Sequence, residues 1–300
     1  MRVTRVSPSS LALGAFLACL AWASSNADSF RFAILGDRTG DVQPGIYEQV
    51  WREVAAENPA FVVSVGDTIE GSNDALAAGE WREVEQLHRP YRKYPLYLAP
   101  GNHDIWSAAS ERLFREHSGH PPHYSFDHAQ THFTILDNSR SDELASEELT
   151  FLEQDLREHA AQPVKFILMH RPSWLLHVAM RNPNFQLHQL ARQYSVPYVV
   201  AGHVHQIMRA ELEGVTYLAM PSSGGHLRNS KQYQDGWFFG HALVEVRGSD
   251  VEFQIEELKP PHGQGRISRP GDWTLLGLAA RRGAAQRAAG GSWSAGIPAR

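Results

Sequence analysis

Four stretches of this 300-residue chain place a glycine and then a potential ligand behind an apolar run: Leu35-Gly36-Asp37, Val65-Gly66-Asp67, Gly101-Asn102-His103-Asp104 and Gly202-His203-Val204-His205. A fifth run, Ile167-Leu168-Met169, ends on His170 without the glycine. Two carboxylates, an amide oxygen and three imidazoles are donors suited to divalent or trivalent Mn, Fe or Zn and unsuited to Cu(I). Six ligands exceed one tetrahedral site. They predict two ions roughly 3.5–4 Å apart, sharing a carboxylate and a hydroxide, the arrangement that clamps an in-line displacement at phosphorus. His203 and His205, two residues apart on a turn, are expected to face different ions. Any one Gly-Asp or strand-end histidine is an ordinary turn or a hydrogen-bonded structural residue. Five strand ends in one order, with GNHD and GHVH among them, are the signal. The remaining histidines weighed, His88, His117, His120, His123, His128, His132 and His159, are assigned to surface or packing roles.

The elements that must position these residues are legible as alternating short apolar runs and amphipathic stretches from Phe30 to about Leu258, the pattern of an α/β or α+β layered domain. FRFAIL, FVVSV, PLYLA, THFTILD, VKFILM and PYVVA are nearly continuous in apolar residues, as in a sheet covered on both faces. HALVEVRG and DVEFQIEEL alternate apolar and polar around a Gly-Ser-Asp turn and predict an antiparallel hairpin, so the sheet is mixed. Ligands gather outside the carboxyl ends of such strands, and glycine there lets the backbone turn sharply. One helix is predicted with Ser146 as N-cap, Glu147 and Glu148 in its first turn, and Leu149, Leu152 and Leu156 on the buried face.

With 42% hydrophobic and 20% charged residues, the chain carries enough apolar material for one sizeable core. A net charge of −5 excludes a general nucleic-acid-binding surface. Arg2 and Arg5, the apolar run Leu11–Leu20 and Ala21-Trp22-Ala23 read as a secretory signal, residues 1–23, with cleavage after Ala27 as a variant, a retained membrane anchor as the second reading and lipidation at Cys19 as a minor one. The run is shorter than the ~20 residues a spanning helix needs, so no stable membrane span is expected after cleavage, and the location is periplasmic or secreted. The sole cysteine, Cys19, leaves with the signal, and any metal then rests on nitrogen and oxygen ligands. Residues 28–258 make the domain. Residues 259–300, rich in Gly, Ala and Arg, read as a disordered tail, with surface or membrane contact through Trp273, Leu275, Leu276 and Leu278 as the rarer outcome.

GDRTG, GDTIE, GNHD, MHRP and GHVH resemble the successive motif blocks of the calcineurin-like metallophosphoesterase superfamily, which includes purple acid phosphatases and bacterial cyclic-nucleotide phosphodiesterases. The resemblance covers roughly Phe30 to Gly225. It implies a four-layer α-β-β-α sandwich of two mixed sheets with the metal site at the strand C-terminal ends. By resemblance, Asp37 holds the first ion, Asp67 bridges both, Asn102, His170 and His203 hold the second, and His205 returns to the first. His103 is then the general acid on the leaving oxygen, oriented by Asp104. Most of the superfamily has Asp-x-His in the first block, where this chain has Asp37-Arg38-Thr39, and Glu70 stands where purple acid phosphatases place a tyrosine. The first ion is thus one ligand short. Weak or altered binding ranks first; water, Thr39, Asp41 or Glu70 as a replacement, or Arg38 as a substituting charge, are the other readings.

The implied function is hydrolysis of a small phosphomonoester or phosphodiester by a metal-bridging hydroxide, with Arg38, Asn102 and His103 contacting substrate. A non-catalytic metal- or phosphate-ligand-binding protein is the alternative, and full retention of GNHD argues against it. Trp106, Trp174, Trp237, Phe238 and Phe239 are candidates for an aromatic wall, with lid packing the commoner role. His226 and Arg228 are candidate phosphate contacts in the loop after MPSSGG, with a solvated loop as the plainer account.

Overall fold

The computed structural model describes residues 29–279; the expected signal segment, Cys19 and residues 280–300 lie outside them. The chain opens with β1 (Phe30–Leu35), α1 (Ile46–Glu57), β2 (Phe61–Ser64), α2 (Asp74–His88) and β3 (Leu96–Leu98). Then α3 (Ala108–Ser118) leads into a hairpin of β4 (Tyr124–His128) and β5 (Thr131–Ile135). Next come α4 (Ser146–Glu158), β6 (Val164–Leu168), α5 (Leu175–Ala179), α6 (Gln186–Gln193) and β7 (Tyr198–Ala201). A second hairpin, β8 (Met208–Leu212) and β9 (Val215–Ala219), is followed by β10 (Gly240–Arg247) and β11 (Asp250–Glu257). The short strands β12 (Ile267–Ser268), β13 (Trp273–Thr274) and β14 (Gly277–Leu278) close the described chain.

Two six-stranded sheets result, in the orders β12-β11-β10-β1-β2-β3 and β4-β5-β6-β7-β9-β8. Both are mixed: β1, β2 and β3 run parallel with β10 antiparallel to β1, and β5, β6, β7 and β9 run parallel between antiparallel edges. The alternation of side chains along each strand sorts the layers. In β1, Phe32 and Ile34 enter the core between the sheets, while Ala33 and Leu35 meet Ile46, Val50 and Trp51 of α1. In β6, Phe166 and Leu168 face the same inter-sheet core, while Ile167 packs with Leu152 and Leu156 of α4 and Leu190 of α6. The order is helix, sheet, sheet, helix, as the resemblance implied. Among the described residues, no helix is long and apolar enough to cross a membrane.

Two expectations change here. Helix α4 begins with Ser146 as its first helical residue and Ala145 at the cap position; the Ser146 carbonyl accepts from Thr150 Oγ1 at 2.8 Å, and no side chain caps the helix. The segment expected to be a disordered tail from 259 is built into the fold as far as 279. Trp273 explains this: it is 1% exposed in the inter-sheet core beside Phe238 and Tyr233, and its Nε1 donates to Ser268 Oγ at 2.9 Å. Burying one tryptophan offsets the ordering entropy of several residues of an otherwise polar segment, and it removes Trp273 from any surface contact.

Candidate metal centre

The strand ends predicted to carry ligands converge on one cleft fed by both sheets, with β1, β2 and β3 delivering Asp37, Asp67 and Asn102 from one side. From the other sheet, β6 and β7 deliver His170, His203 and His205. Close approach of backbone is what the glycines permit: a Cβ on Gly202 would stand 2.5 Å from Asp37 Oδ1, and one on Gly101 2.1 Å from Asp67 Oδ1. Asp67, His203 and His205 themselves adopt left-handed backbone, at φ 56°, 71° and 58°. Such conformations cost about 1–3 kcal/mol each in non-glycine residues and persist where the surroundings enforce them.

One half of the cleft is organised around His170. Its Nδ1 lies 3.0 Å from the Val65 carbonyl, so Nδ1 carries the proton and Nε2 points inward as a lone pair. Around that Nε2 stand Asn102 Oδ1 at 3.0 Å, His203 Nδ1 at 3.1 Å and Asp67 Oδ2 at 3.2 Å. Asp67 Oδ2 is buried and has no hydrogen-bond donor. Four electron-pair donors thus face one another with no donor hydrogen to separate them, which is the polar arrangement a cation resolves. With no ion, a proton takes that role. Burial alone would lower His170, but the Asp67 carboxylate outweighs it and holds the imidazole at about 9; burial then drives His203 down to about 4, helped by His170. The residues therefore fit a divalent ion at Asp67, Asn102, His170 and His203.

The other half is different. Asp37 accepts the His203 amide on both oxygens, at 2.9 and 3.0 Å, and its Oδ2 lies 3.2 Å from His205 Nε2. His205 Nδ1 donates to the His226 carbonyl at 2.7 Å, which leaves Nε2 as an acceptor, and Arg228 Nη2 approaches it at 3.3 Å. Thr39, at the position that would hold a further imidazole, is buried and donates its hydroxyl to Glu70 Oε2, while Glu70 Oε1 takes the Asp41 amide at 2.9 Å. Burial pushes the Glu70 carboxyl up, but these hydrogen bonds outweigh it and keep it below the usual range. Thr39 and Glu70 are spent on each other and do not complete the first position. Arg38 uses one donor here: its Nη1 donates to the Thr68 carbonyl at 2.9 Å, its guanidinium lies 5.6 Å from the centre of the Tyr47 ring, and its buried Nε has no partner.

His103 stands at the mouth. Its amide donates to Asp67 Oδ1 at 2.9 Å, its Nδ1 pairs with the Glu70 carbonyl, and its Nε2 lies 4.0 Å from Asp67 Oδ2. The expected partner, Asp104, does something else. Its Oδ1 accepts the Thr68 and Ile69 amides at 2.8 and 3.2 Å and its Oδ2 the Gly101 amide at 2.9 Å, so it ties the Asp67 turn to the Asn102 turn. Burial and the neighbouring Asp67 charge push Asp104 up to about 6. Asp104 is spent on three backbone amides, and the carbonyl that meets His103 Nδ1 and orients its ring is that of Glu70.

Sequence reasoning missed Asn138. Its Oδ1 accepts the His170 and Arg171 amides at 3.1 and 3.0 Å, and its Nδ2 donates to the Arg171 carbonyl at 2.7 Å, so it shapes the turn that presents His170. Nothing in Leu136-Asp137-Asn138 marks this, because the partner lies 32 residues on. The aromatic wall does not assemble: Trp174 is buried under the second sheet against Tyr217, and Phe238 is buried beside Trp273. Trp106 lies against the Gly71 turn beside His103, where a Cβ on Gly71 would meet its ring at 2.8 Å.

Comparison with known proteins agrees with this geometry. The family model described as calcineurin-like phosphoesterase matches residues 30–207. The chain is similar to the 3′,5′-cyclic adenosine monophosphate phosphodiesterase CpdA of Haemophilus influenzae, 26% identical over 209 residues, which is 64% of this chain and 74% of that protein. It is 29% identical over 202 residues to the CpdA of Escherichia coli K12, covering 64% of this chain and 70% of the other. Among solved structures it is similar to the purple acid phosphatase PPD1 from yellow lupin seeds, with a TM-score of 0.61 and 17% identity across 81% of this chain. This chain covers 53% of that phosphatase, and at such identity the likeness speaks for the fold alone.

Proposed function

Because the chain belongs to the calcineurin-like phosphoesterase family, hydrolases of phosphoester bonds, we propose that it is an exported, metal-dependent enzyme cleaving a small organic phosphodiester, with His103 protonating the leaving oxygen. The placement of His103 carries this reading. Its amide is held by Asp67 and its Nδ1 by the Glu70 carbonyl, so Nε2 is the atom left to hold a proton, beside the ligand cluster, on a side chain 23% exposed. A proton donor fixed at that edge serves an alkoxide as it leaves; mere binding of a metal or phosphate has no use for it. An ion held by Asp67, Asn102, His170 and His203 supplies Lewis-acid polarisation of the phosphoryl group and lowers the pKa of water. The protein does the rest: Val65 and Asn138 aim His170, Asp104 joins two ligand turns, and Glu70 sets the face of His103.

A diester is favoured over a monoester because the two bacterial relatives at 26% and 29% identity are named as phosphodiesterases. Export rests on Arg2, Arg5, the apolar run Leu11–Leu20 and Ala21-Trp22-Ala23. The test is hydrolysis of bis-aryl, mono-aryl and dialkyl phosphates by the metal-loaded protein. His103→Ala is expected to lower kcat by about 10²–10⁴ when an alkoxide leaves, and much less when a nitrophenolate leaves, with metal content unchanged. Equal losses for both leaving groups would remove the acid role. Cell fractionation tests export, with the expected mature N-terminus at Ser24 or Asp28.

A further inference from the structure

The two halves of the cleft hold unequal numbers of free electron pairs. Among the six predicted ligands, the buried side-chain oxygen without a donor is Asp67 Oδ2, on the His170 side. On the other side, the lone pair of His205 Nε2 already meets a cation, the Arg228 guanidinium at 3.3 Å. The loop is shaped to allow this. Gly40, at φ 84°, leaves room where a Cβ would come within 3.0 Å of His205 Cε1 and 3.6 Å of Arg228 Nη2. The residue that would have supplied another imidazole, Thr39, is turned to Glu70.

We propose that this centre takes one metal ion, held by Asp67, Asn102, His170 and His203, and that the Arg228 guanidinium occupies the charge position of the second ion and binds the phosphoryl oxygens. One N–H of Arg228 goes to His205; Arg228 is otherwise exposed, and its remaining donors form the planar fork that matches two oxygens of a phosphate. The inference rests on the phosphoesterase reading but is tested apart from turnover.

The experiment is metal analysis by plasma mass spectrometry after dialysis against Mn²⁺, with calorimetric titration of inorganic phosphate into the Mn²⁺-loaded protein. Wild type is expected to hold one equivalent. Arg228→Ala should keep that equivalent and bind phosphate at least tenfold more weakly, with Arg228→Lys between the two. The double variant Thr39→His, Arg228→Ala should gain a second equivalent. Two equivalents in wild type, or unchanged phosphate affinity in Arg228→Ala, would overturn the proposal. One equivalent with Arg228-dependent phosphate binding but no hydrolysis of any ester would uphold it and sink the proposed phosphodiesterase activity instead.

Discussion

Two clusters of histidine and carboxylate lie at opposite ends of the second sheet, and they are completed in opposite ways. At the amino end of β5, His132 sits between Asp127 Oδ1 at 2.7 Å and Asp155 Oδ2 at 2.9 Å. Ser125 and Thr134 hydroxyls also donate to Asp155, at 2.6 and 2.7 Å, and the His159 ring stacks on His132 at 3.8 Å. Every oxygen of Asp155 has a donor. Beyond the carboxyl end of β6, the buried Asp67 Oδ2 faces His170 Nε2 at 3.2 Å and no other donor. Residue types that could bind a metal are therefore present at both ends, and the difference is whether protein hydrogen bonds have already answered the acceptors. The closed network acts as a structural tie; the open one is the candidate ligand site.

That contrast can be broken most directly at Asp67. Asp67→Ala should abolish stoichiometric metal binding and bring ester hydrolysis to background, measured by metal analysis and aryl phosphate turnover. Retention of a full equivalent of metal in that variant would put Asp67 in the same structural class as Asp155. His132→Ala is the reciprocal test. Removing one partner of a buried, hydrogen-bonded pair costs about 3–5 kcal/mol, visible by denaturant unfolding, with metal content unchanged. Loss of an equivalent of metal in that variant would erase the distinction.

Smaller effects sharpen it. Asn138→Ala should weaken metal affinity by roughly tenfold, measured by competition with a chelator, since support behind a ligand contributes about 10–100-fold. The pH dependence of the closed network has a definite sign. Burial lowers the His132 pKa, but the hydrogen bonds and charges of Asp155 and Asp127 outweigh it and leave it raised. A raised folded-state value means the stabilisation is complete below the ordinary histidine pKa of about 6.5 and declines as pH rises through the folded value. The Tm gap between wild type and His132→Gln should therefore be wide at pH 6 and narrower at pH 9. A gap that widens with pH would contradict the ion pair.

How much of this was legible follows the same physics. Asp37, Asp67, Asn102, His170, His203 and His205 were visible because glycine or an apolar run directly precedes each block, and the central strands β1, β2, β5, β6 and β7 were visible because both their faces are covered. The edge strands β4 and β8 were not, nor was β9. Tyr124–His128 and Met208–Leu212 carry Ser, Asp, His, Arg and Glu and show no continuous apolar run, although the Glu213-Gly214 pair, at φ 45° and 87°, marks the tight hairpin turn between β8 and β9. The ordering of Trp273 and the supporting role of Asn138 depend on partners distant in sequence, which no local pattern encodes. Asp104 was read as the partner of His103 from the family resemblance, yet its oxygens are directed at the amides of Thr68, Ile69 and Gly101.

The centre also has a consequence for the order of events in folding. Asp67 and Asn102 come from the first sheet and His170 and His203 from the second, and the His170–Val65 contact spans 105 residues. The ligand cage therefore does not exist in either sheet alone; it is completed when the two dock. An ion held there would stabilise only the docked state, and the expected outcome is a slower unfolding rate in the metal-loaded protein, read by denaturant jump with and without chelator. Two sheets that part and rejoin in the empty protein would be clamped in the loaded one, and amide exchange in β2 and β6 would slow together.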